Sequence, residues 1–233
     1  MKRLVLRTVL PALLAIALFS GVVFFYFLPA FSRTVMDQKR LMIRELTEAS
    51  WNILARFAAE EEAGRLTRDE AQSAAIEQVR SLHYGQQGKD YFWINDMQPR
   101  MIVHPYRPDL EGEDLSTFAD PHGKLIFVEM VRLVRAEGEG YVRYMWQWKD
   151  DPGRIVPKLS YVKGFAPWGW IIGTGVYTDD VDAEVAAVTG RLQAAALVIL
   201  VVVSLLMVVL LRTSFPARRG HLRTAAALRA SAQ

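Results

Sequence analysis

Two charge-free apolar stretches bracket the rest of this 233-residue chain, over residues 9–31 and 192–211. At a rise of about 1.5 Å per residue, helices of these lengths extend roughly 34 and 30 Å. A bilayer core is about 30 Å thick, so each stretch is long enough to span one. Between them lie 160 mostly polar residues. The chain is thereby restricted to one plan: a folded module, residues 32–191, held outside a lipid bilayer by two helices. Residues 1–8 and 212–233 are then short segments on the other side.

The positive charges fix the direction. Lys2, Arg3 and Arg7 precede the first stretch, and Arg212, Arg218, Arg219, Arg223 and Arg229 follow the second, with no acid in either group. Short segments rich in Lys and Arg stay in the cytoplasm. Both ends are therefore expected inside and the loop outside. The loop holds the remaining 20 basic residues and all 25 acids, a net charge of −5. The overall charge of +3 is thus a topology signal and argues against a nucleic-acid partner. The first stretch has the basic start of a signal peptide. It is longer than an ordinary signal core and lacks a small-x-small cleavage site, which favours an uncleaved anchor. There is no cysteine, so the loop must hold itself by its own core, and 160 residues suffice for one.

Within the loop, residues 32–63 read as a long helix continuing from the first stretch, with Val35, Met42, Leu46, Ala49, Ile53 and Phe57 as its apolar stripe. Thr67-Arg68-Asp69-Glu70 has the form of a capping box. It opens a second helix to about His83, with Ala71, Ala75, Val79 and Leu82 on one face. Five strands follow from β-branched and aromatic runs bounded by turn residues: 91–95, 101–104, 140–148, 158–165 and 170–177. A helix over 125–136 separates the second strand from the third. Asp150-Asp151-Pro152-Gly153 is the expected turn after the third, and residues 179–191 feed a short helix into the second span. Strands joined by short turns imply an α+β fold with an antiparallel sheet, its helices covering one face.

Several motifs then stand in order: Asp90-Tyr91-Phe92-Trp93-Ile94-Asn95-Asp96, His104-Pro105, Leu110-Glu111-Gly112-Glu113-Asp114, Gly138-Glu139-Gly140-Tyr141-Val142, Tyr144-x-Trp146, Lys158-Leu159-Ser160-Tyr161-Val162-Lys163 and Pro167-Trp168-Gly169-Trp170 through Gly175. Together they closely resemble the single Cache domain family, the extracytoplasmic sensor modules of bacterial chemoreceptors and sensor histidine kinases. The likeness spans roughly Gln38 to Glu184. It implies a PAS-like five-stranded antiparallel sheet with a long N-terminal helix behind it. It also implies a bacterial inner-membrane location, a homodimer, and a pocket on the sheet for a small organic acid of the acetate, propionate, pyruvate or lactate class. Typical members continue into a HAMP linker and an output domain. Here Phe215-Pro216-Ala217-Arg218-Arg219 resembles the start of a HAMP helix that nothing completes. The expectation is a signalling partner in trans or a truncated receptor or kinase. The alternative is a membrane regulatory or structural subunit without ligand sensing.

A carboxylate pocket needs cationic or polar donors inside an apolar wall. His104 closes an apolar strand before a proline, as a ligand contact or as a hydrogen-bonded histidine at the sheet edge. Lys158 shares a strand face with Ser160 and lies beside Tyr161, either in the pocket or with its ammonium reaching solvent. Tyr91 and Trp93 share one face of the first strand, and Tyr144 and Trp146 one face of the third. They are core residues or the pocket's aromatic wall. Trp168 and Trp170 read as structural, as do Gly173 and Gly175, which allow close backbone packing. No phosphate loop, paired-His motif, nucleophile elbow or acid–base pair is recognisable, so neither an enzyme nor a cofactor or metal site is expected.

Overall fold

In the computed structural model, residues 11, 14, 15, 18–85 and 87–230 are described. The chain divides into two compact units, one formed by residues 33–183 and one by residues 1–32 with 184–233. Two helices, Leu18–Glu62 and Thr178–Leu206, are long and apolar enough to cross a membrane by length and composition. Much of the expected 9–31 span belongs to the described part; residues 9, 10, 12, 13, 16 and 17 lie outside it, as do 1–8 and 231–233. A π-helical stretch, Val23–Phe27, interrupts that first helix. The expected short helix, second span and tail form one helix, Thr178–Ala230.

The 33–183 unit begins in helix α1, Leu28–Glu62. Its buried positions are Val35, Ile43, Thr47, Ser50 and Leu54, whereas Ala49 is exposed and Met42, Leu46, Ile53 and Phe57 are half-buried. The expected apolar stripe is therefore turned by about one residue. The cause is that the most deeply seated positions include two hydroxyls. Thr47 Oγ1 donates to the Ile43 carbonyl at 2.7 Å and Ser50 Oγ to the Thr47 carbonyl at 2.9 Å. Satisfied within the helix, these small side chains let it approach the sheet closely. Gly64, at φ +70°, follows the helix end. Helix α2, Arg68–Ser81, starts at the expected capping box: Thr67 Oγ1 accepts from the Glu70 N–H, and Glu70 Oε2 accepts from the Thr67 N–H at 2.8 Å. Ala71, Ala75 and Val79 are buried along it.

Six strands make one antiparallel sheet: β1 (His83–Tyr84), β2 (Asp90–Asp96), β3 (Met101–Val103), β4 (Glu139–Trp148), β5 (Asp151–Phe165) and β6 (Trp170–Tyr177). The spatial order is β1-β2-β6-β5-β4, with β3 also on β2. Because β6 occupies one edge of β2, β1 and β3 share the other. The five expected strands are all present, and the two-residue β1 is the addition. The β4–β5 turn is tighter than expected. Trp148 pairs with Asp151, so only Lys149 and Asp150 connect them, with Lys149 at φ +49°. Strand β5 starts seven residues before the expected Lys158 because Pro157, facing Met145, ends no pairing.

Alternation along the strands separates two faces. On one, Phe92, Ile94, Phe165, Trp170 and Ile172 pack against Leu54 of α1 and Ala71, Ala75 and Val79 of α2. Ile43 joins Leu159, Tyr161 and Val176 on that side. On the other, Tyr91, Trp93, Val142, Tyr144, Trp146 and Val162 meet Ile126, Phe127, Met130, Val131 and Val134 from the region of helix α3, Ile126–Glu137. Leu110 and Leu115 of the 104–125 loop complete this second core. The helices thus cover both faces, where the strand pattern predicted one. Sheet residues that alternate without polar partners on either side need two apolar layers.

Candidate functional site

Lys158 lies in the middle of β5, opposite Tyr144 of β4 on one side and Tyr177 of β6 on the other. Period-two alternation sends its side chain to the α3 face, together with Ser160, while Leu159 and Tyr161 go to the α1 face. It is 2% exposed. Its Nζ donates to Tyr91 Oη at 2.8 Å and stands 4.1 Å from the Tyr91 ring, 5.0 Å from the Tyr177 ring and 5.2 Å from the Trp93 ring. Aromatic faces attract a cation but do not neutralise it. Burial accordingly pushes the ammonium down to about 7, and Asp90, the only opposing influence, favours its charged form.

His104 adjoins this cation. It is 2% exposed, its ring centroid 4.7 Å from that of Tyr91 and 5.6 Å from that of Trp146. Its Nδ1 accepts from the Tyr106 N–H at 3.3 Å, which leaves Nε2 as the protonated nitrogen of a neutral ring. Burial first, and then the charges of Lys158 and Arg107, hold it well below the ordinary histidine range. The Trp146 indole N–H is a third donor. It is buried without a hydrogen-bond partner, although it lies near enough to the Tyr91 phenol to favour an oxyanion there. Tyr91 accepts from Lys158, and its own O–H donates toward the Tyr177 phenol.

Small residues make room for these groups. Strand β6 presents Gly173 and Gly175 to this face. A Cβ at Gly175 would stand 2.2 Å from Ser160 Oγ, and one at Gly173 would stand 2.8 Å from the Trp93 ring. Ser160 Oγ and Tyr144 Oη hydrogen-bond to each other at 3.0 Å. Trp93 Nε1 donates to Asn95 Oδ1 at 3.3 Å, so it is satisfied inside the sheet. A cleft of about 360 Å³ adjoins the cluster, with Trp146 in its wall and Arg107, Phe118, Asp120 and Gln147 around it. A larger groove of about 590 Å³ is lined by Pro99 and the outer side of α3, including Val128, Arg132 and Arg135. It touches none of the buried donors.

The structure thus brings together Tyr91, Trp93, His104, Tyr144, Trp146, Lys158 and Ser160 on one face. Tyr161 stands apart: its ring packs against Tyr141 at 4.7 Å, in the cluster with Ile43. The odd spacing from Lys158 carries that separation. Sequence reasoning missed Tyr177, Asp90 and Lys149. Tyr177 is two residues beyond Gly175 in the same strand, a spacing that places both on one face. Asp90 and Lys149 carry no local signal, because the register alone brings the β4–β5 turn beside the start of β2. Among the described residues no three His, Cys, Asp or Glu side chains are grouped as metal ligands. The cluster offers a cation with no carboxylate in contact and an indole N–H without a partner, which suits an anion, while the adjoining cleft also holds an unpartnered acceptor, Gln147 Oε1.

The family model described as Single Cache domain 2 matches residues 35–190. The methyl-accepting chemotaxis protein McpP of Pseudomonas putida is 47% identical over 143 residues, covering 61% of this chain and 26% of that protein. The sensor histidine kinase MctS of Rhizobium johnstonii is 34% identical over 168 residues, covering 70% of this chain and 34% of its own length. The chain therefore spans about a quarter to a third of these relatives. Among solved structures, a Cache chemosensory domain described for carboxylic acid recognition shares 43% identity, with a TM-score of 0.59, covering 62% of this chain and 97% of that one. The periplasmic sensor domain of a chemotaxis protein is similar at 43% identity and a TM-score of 0.58, covering 61% and 96%.

Proposed function

This chain belongs to the single Cache domain 2 family, and from that premise we propose that its 33–183 unit binds a small monocarboxylate on the Lys158 face of the sheet. The observation that carries this reading is a lysine at the centre of the sheet whose buried neighbours are rings and a phenol. Burying an ammonium without a carboxylate is costly, and an incoming carboxylate offsets that cost. The acid's oxygens accept from Lys158 Nζ, His104 Nε2 and Trp146 Nε1. Tyr144, Trp93 and the ring of Trp146 enclose a short alkyl end, with the Tyr144–Ser160 pair limiting its length. Carboxylic acid recognition by the similar solved domain supports this ligand class.

The same reading sets the unit outside a bacterial inner membrane, on the two apolar helices, within a homodimer whose partner in trans or output region receives the signal. Lys158 faces Tyr177 across the strand pair, and helix α4 (Thr178–Ala230) starts at the next residue. An acid that draws Lys158 into a new geometry acts one residue from the outgoing helix. It shifts the receptor only by its difference in affinity for two arrangements of that helix.

The test is thermal unfolding of the full chain in lipid nanodiscs with acetate, propionate, pyruvate or lactate. At 100 times its dissociation constant a ligand adds about 2.7 kcal/mol, roughly a 5–10 °C shift for a unit of this size. A folded protein that none of the four stabilises would end this reading.

A further inference from the structure

The Lys158 ammonium lacks a carboxylate although Asp90 is only one residue from Tyr91, to which Lys158 donates. The Asp90 side chain is 18% exposed. It packs against Gly85, where a Cβ would stand 2.0 Å from Asp90 Oδ2. Its fixed partner is Lys149, whose Nζ is 3.7 Å from Asp90 Oδ1. Lys149 is itself buried, with its Nζ also 3.6 Å from Asp180 Oδ2 and 4.8 Å from the Trp148 ring. Two hydrogen bonds and a turn conformation hold it there. Its N–H donates to Tyr177 Oη at 2.9 Å, its carbonyl accepts from Gln147 Nε2 at 2.8 Å, and its backbone takes φ +49° in the two-residue turn. Asp180 is anchored in turn by the Trp148 indole at 3.1 Å, and it lies in the first turn of α4.

Resting on the carboxylate-binding reading above, we propose that Lys149 is a positioning residue that sequesters Asp90 and so keeps the chain's own carboxylate off Lys158. Asp90 and an external acid are chemically the same kind of partner for that ammonium. Strand parity sets Asp90 on the Phe92 side of β2, but it is the strand's first residue and its charge reaches Lys158; without Lys149, Asp90 swings past the strand end and neutralises Lys158 in the acid's stead. Lys149 touches no ligand in this scheme and acts through Asp90. Asp180 shares Lys149, so the first turn of α4 and the ligand site draw on one cation. By linkage, whatever strengthens the Lys149–Asp180 contact frees Asp90 and weakens acid binding, and bound acid in turn favours the Lys149–Asp90 contact.

The experiment uses the full chain in nanodiscs, with Lys149→Met, Asp90→Asn and the Lys149→Met/Asp90→Asn double variant. Acetate and propionate are titrated by calorimetry, and the Lys158 ammonium of the acid-free protein is titrated by NMR. Lys149→Met is expected to weaken acid binding about tenfold or more and to raise the Lys158 titration above its wild-type position. The double variant is expected to recover both, a rescue that a merely structural role would not give. If Lys149→Met folds and leaves the Lys158 titration unmoved, or if removing Asp90 restores nothing, the proposal is overturned. Should wild type bind neither acid, the function reading fails, and the NMR titration still decides the role of Lys149. Lys149→Arg, which keeps the charge, is the folding control and is expected to behave as wild type.

Discussion

Lys158 and Leu159 are neighbours in β5 and both are almost fully buried, yet they belong to opposite kinds of interior. Leu159 faces α1 with Ile43, Tyr161 and Val176, among groups whose hydrogen bonds are closed. The Thr47 hydroxyl is satisfied by its own helix, and Trp51 Nε1 donates to the Gly164 carbonyl at 2.9 Å. Lys158 faces α3 among an unneutralised charge, a neutral histidine and an indole N–H without a partner. One face closes its polar groups within the chain, and the other does not. A buried donor without a partner costs stability, and such groups recur at functional sites.

That contrast breaks most readily on the finished face. Leu159→Ala should lose about 2–5 kcal/mol of stability through transfer and cavity terms, with the acid dissociation constant unchanged, as read by denaturant unfolding and calorimetry on one sample. A comparable loss of binding would show that the two faces are not separate. Lys158→Met should do the reverse. Acid binding should fall by at least about 100-fold, or about 2.7 kcal/mol. Stability without acid should hold or rise, because an unpaired buried ion gives way to a packed side chain.

The pH dependence sharpens the comparison. Burial pushes the Lys158 ammonium down to about 7 in the folded chain, from an ordinary 10.5 when unfolded. Below about 7 it is charged in both states and its burial penalty is complete. Between those values the unfolded chain binds more protons, so stability without acid should climb as pH rises. His104, depressed below 6.5, adds a slope of the same sign at lower pH, stability being lost as pH falls through 6.5. Acid binding should weaken above pH 7, about tenfold per pH unit, because the bound form needs the ammonium. Melting curves of wild type and Lys158→Met from pH 6 to 10 isolate the lysine. An identical climb in both would assign it to other groups. The smallest expected effect is that of Ser160→Ala. Loss of its hydrogen bond to Tyr144 should cost about 1 kcal/mol, and removing the hydroxyl should ease entry of a longer acid, measured by comparing acetate with propionate.

Much of the architecture was legible because it is local. The Thr67 capping box, the strand from Trp170 to Tyr177 and the alternation of Val142, Tyr144 and Trp146 rest on neighbours within a few residues. The α1 stripe was misplaced by a residue because hydrophobicity does not reveal that Thr47 and Ser50 are satisfied inside their own helix. Seven of the eight candidate site residues share one face, and Tyr161 is separated from Lys158 by strand parity. Asp90, Lys149 and Tyr177 escaped notice because they converge only through the pairing of β2, β4, β5 and β6.

By itself the sequence determined the two apolar helices, the α+β plan between them and the residue types that gather around Lys158, since length, periodicity and turn chemistry act along the chain. Tertiary structure decided that both sheet faces are covered, that Lys158 is buried without a carboxylate and that Lys149 lies between Asp90 and Asp180. Those outcomes depend on strand order and register, which bring together groups dozens of residues apart, and on the low dielectric that such packing creates around a charge.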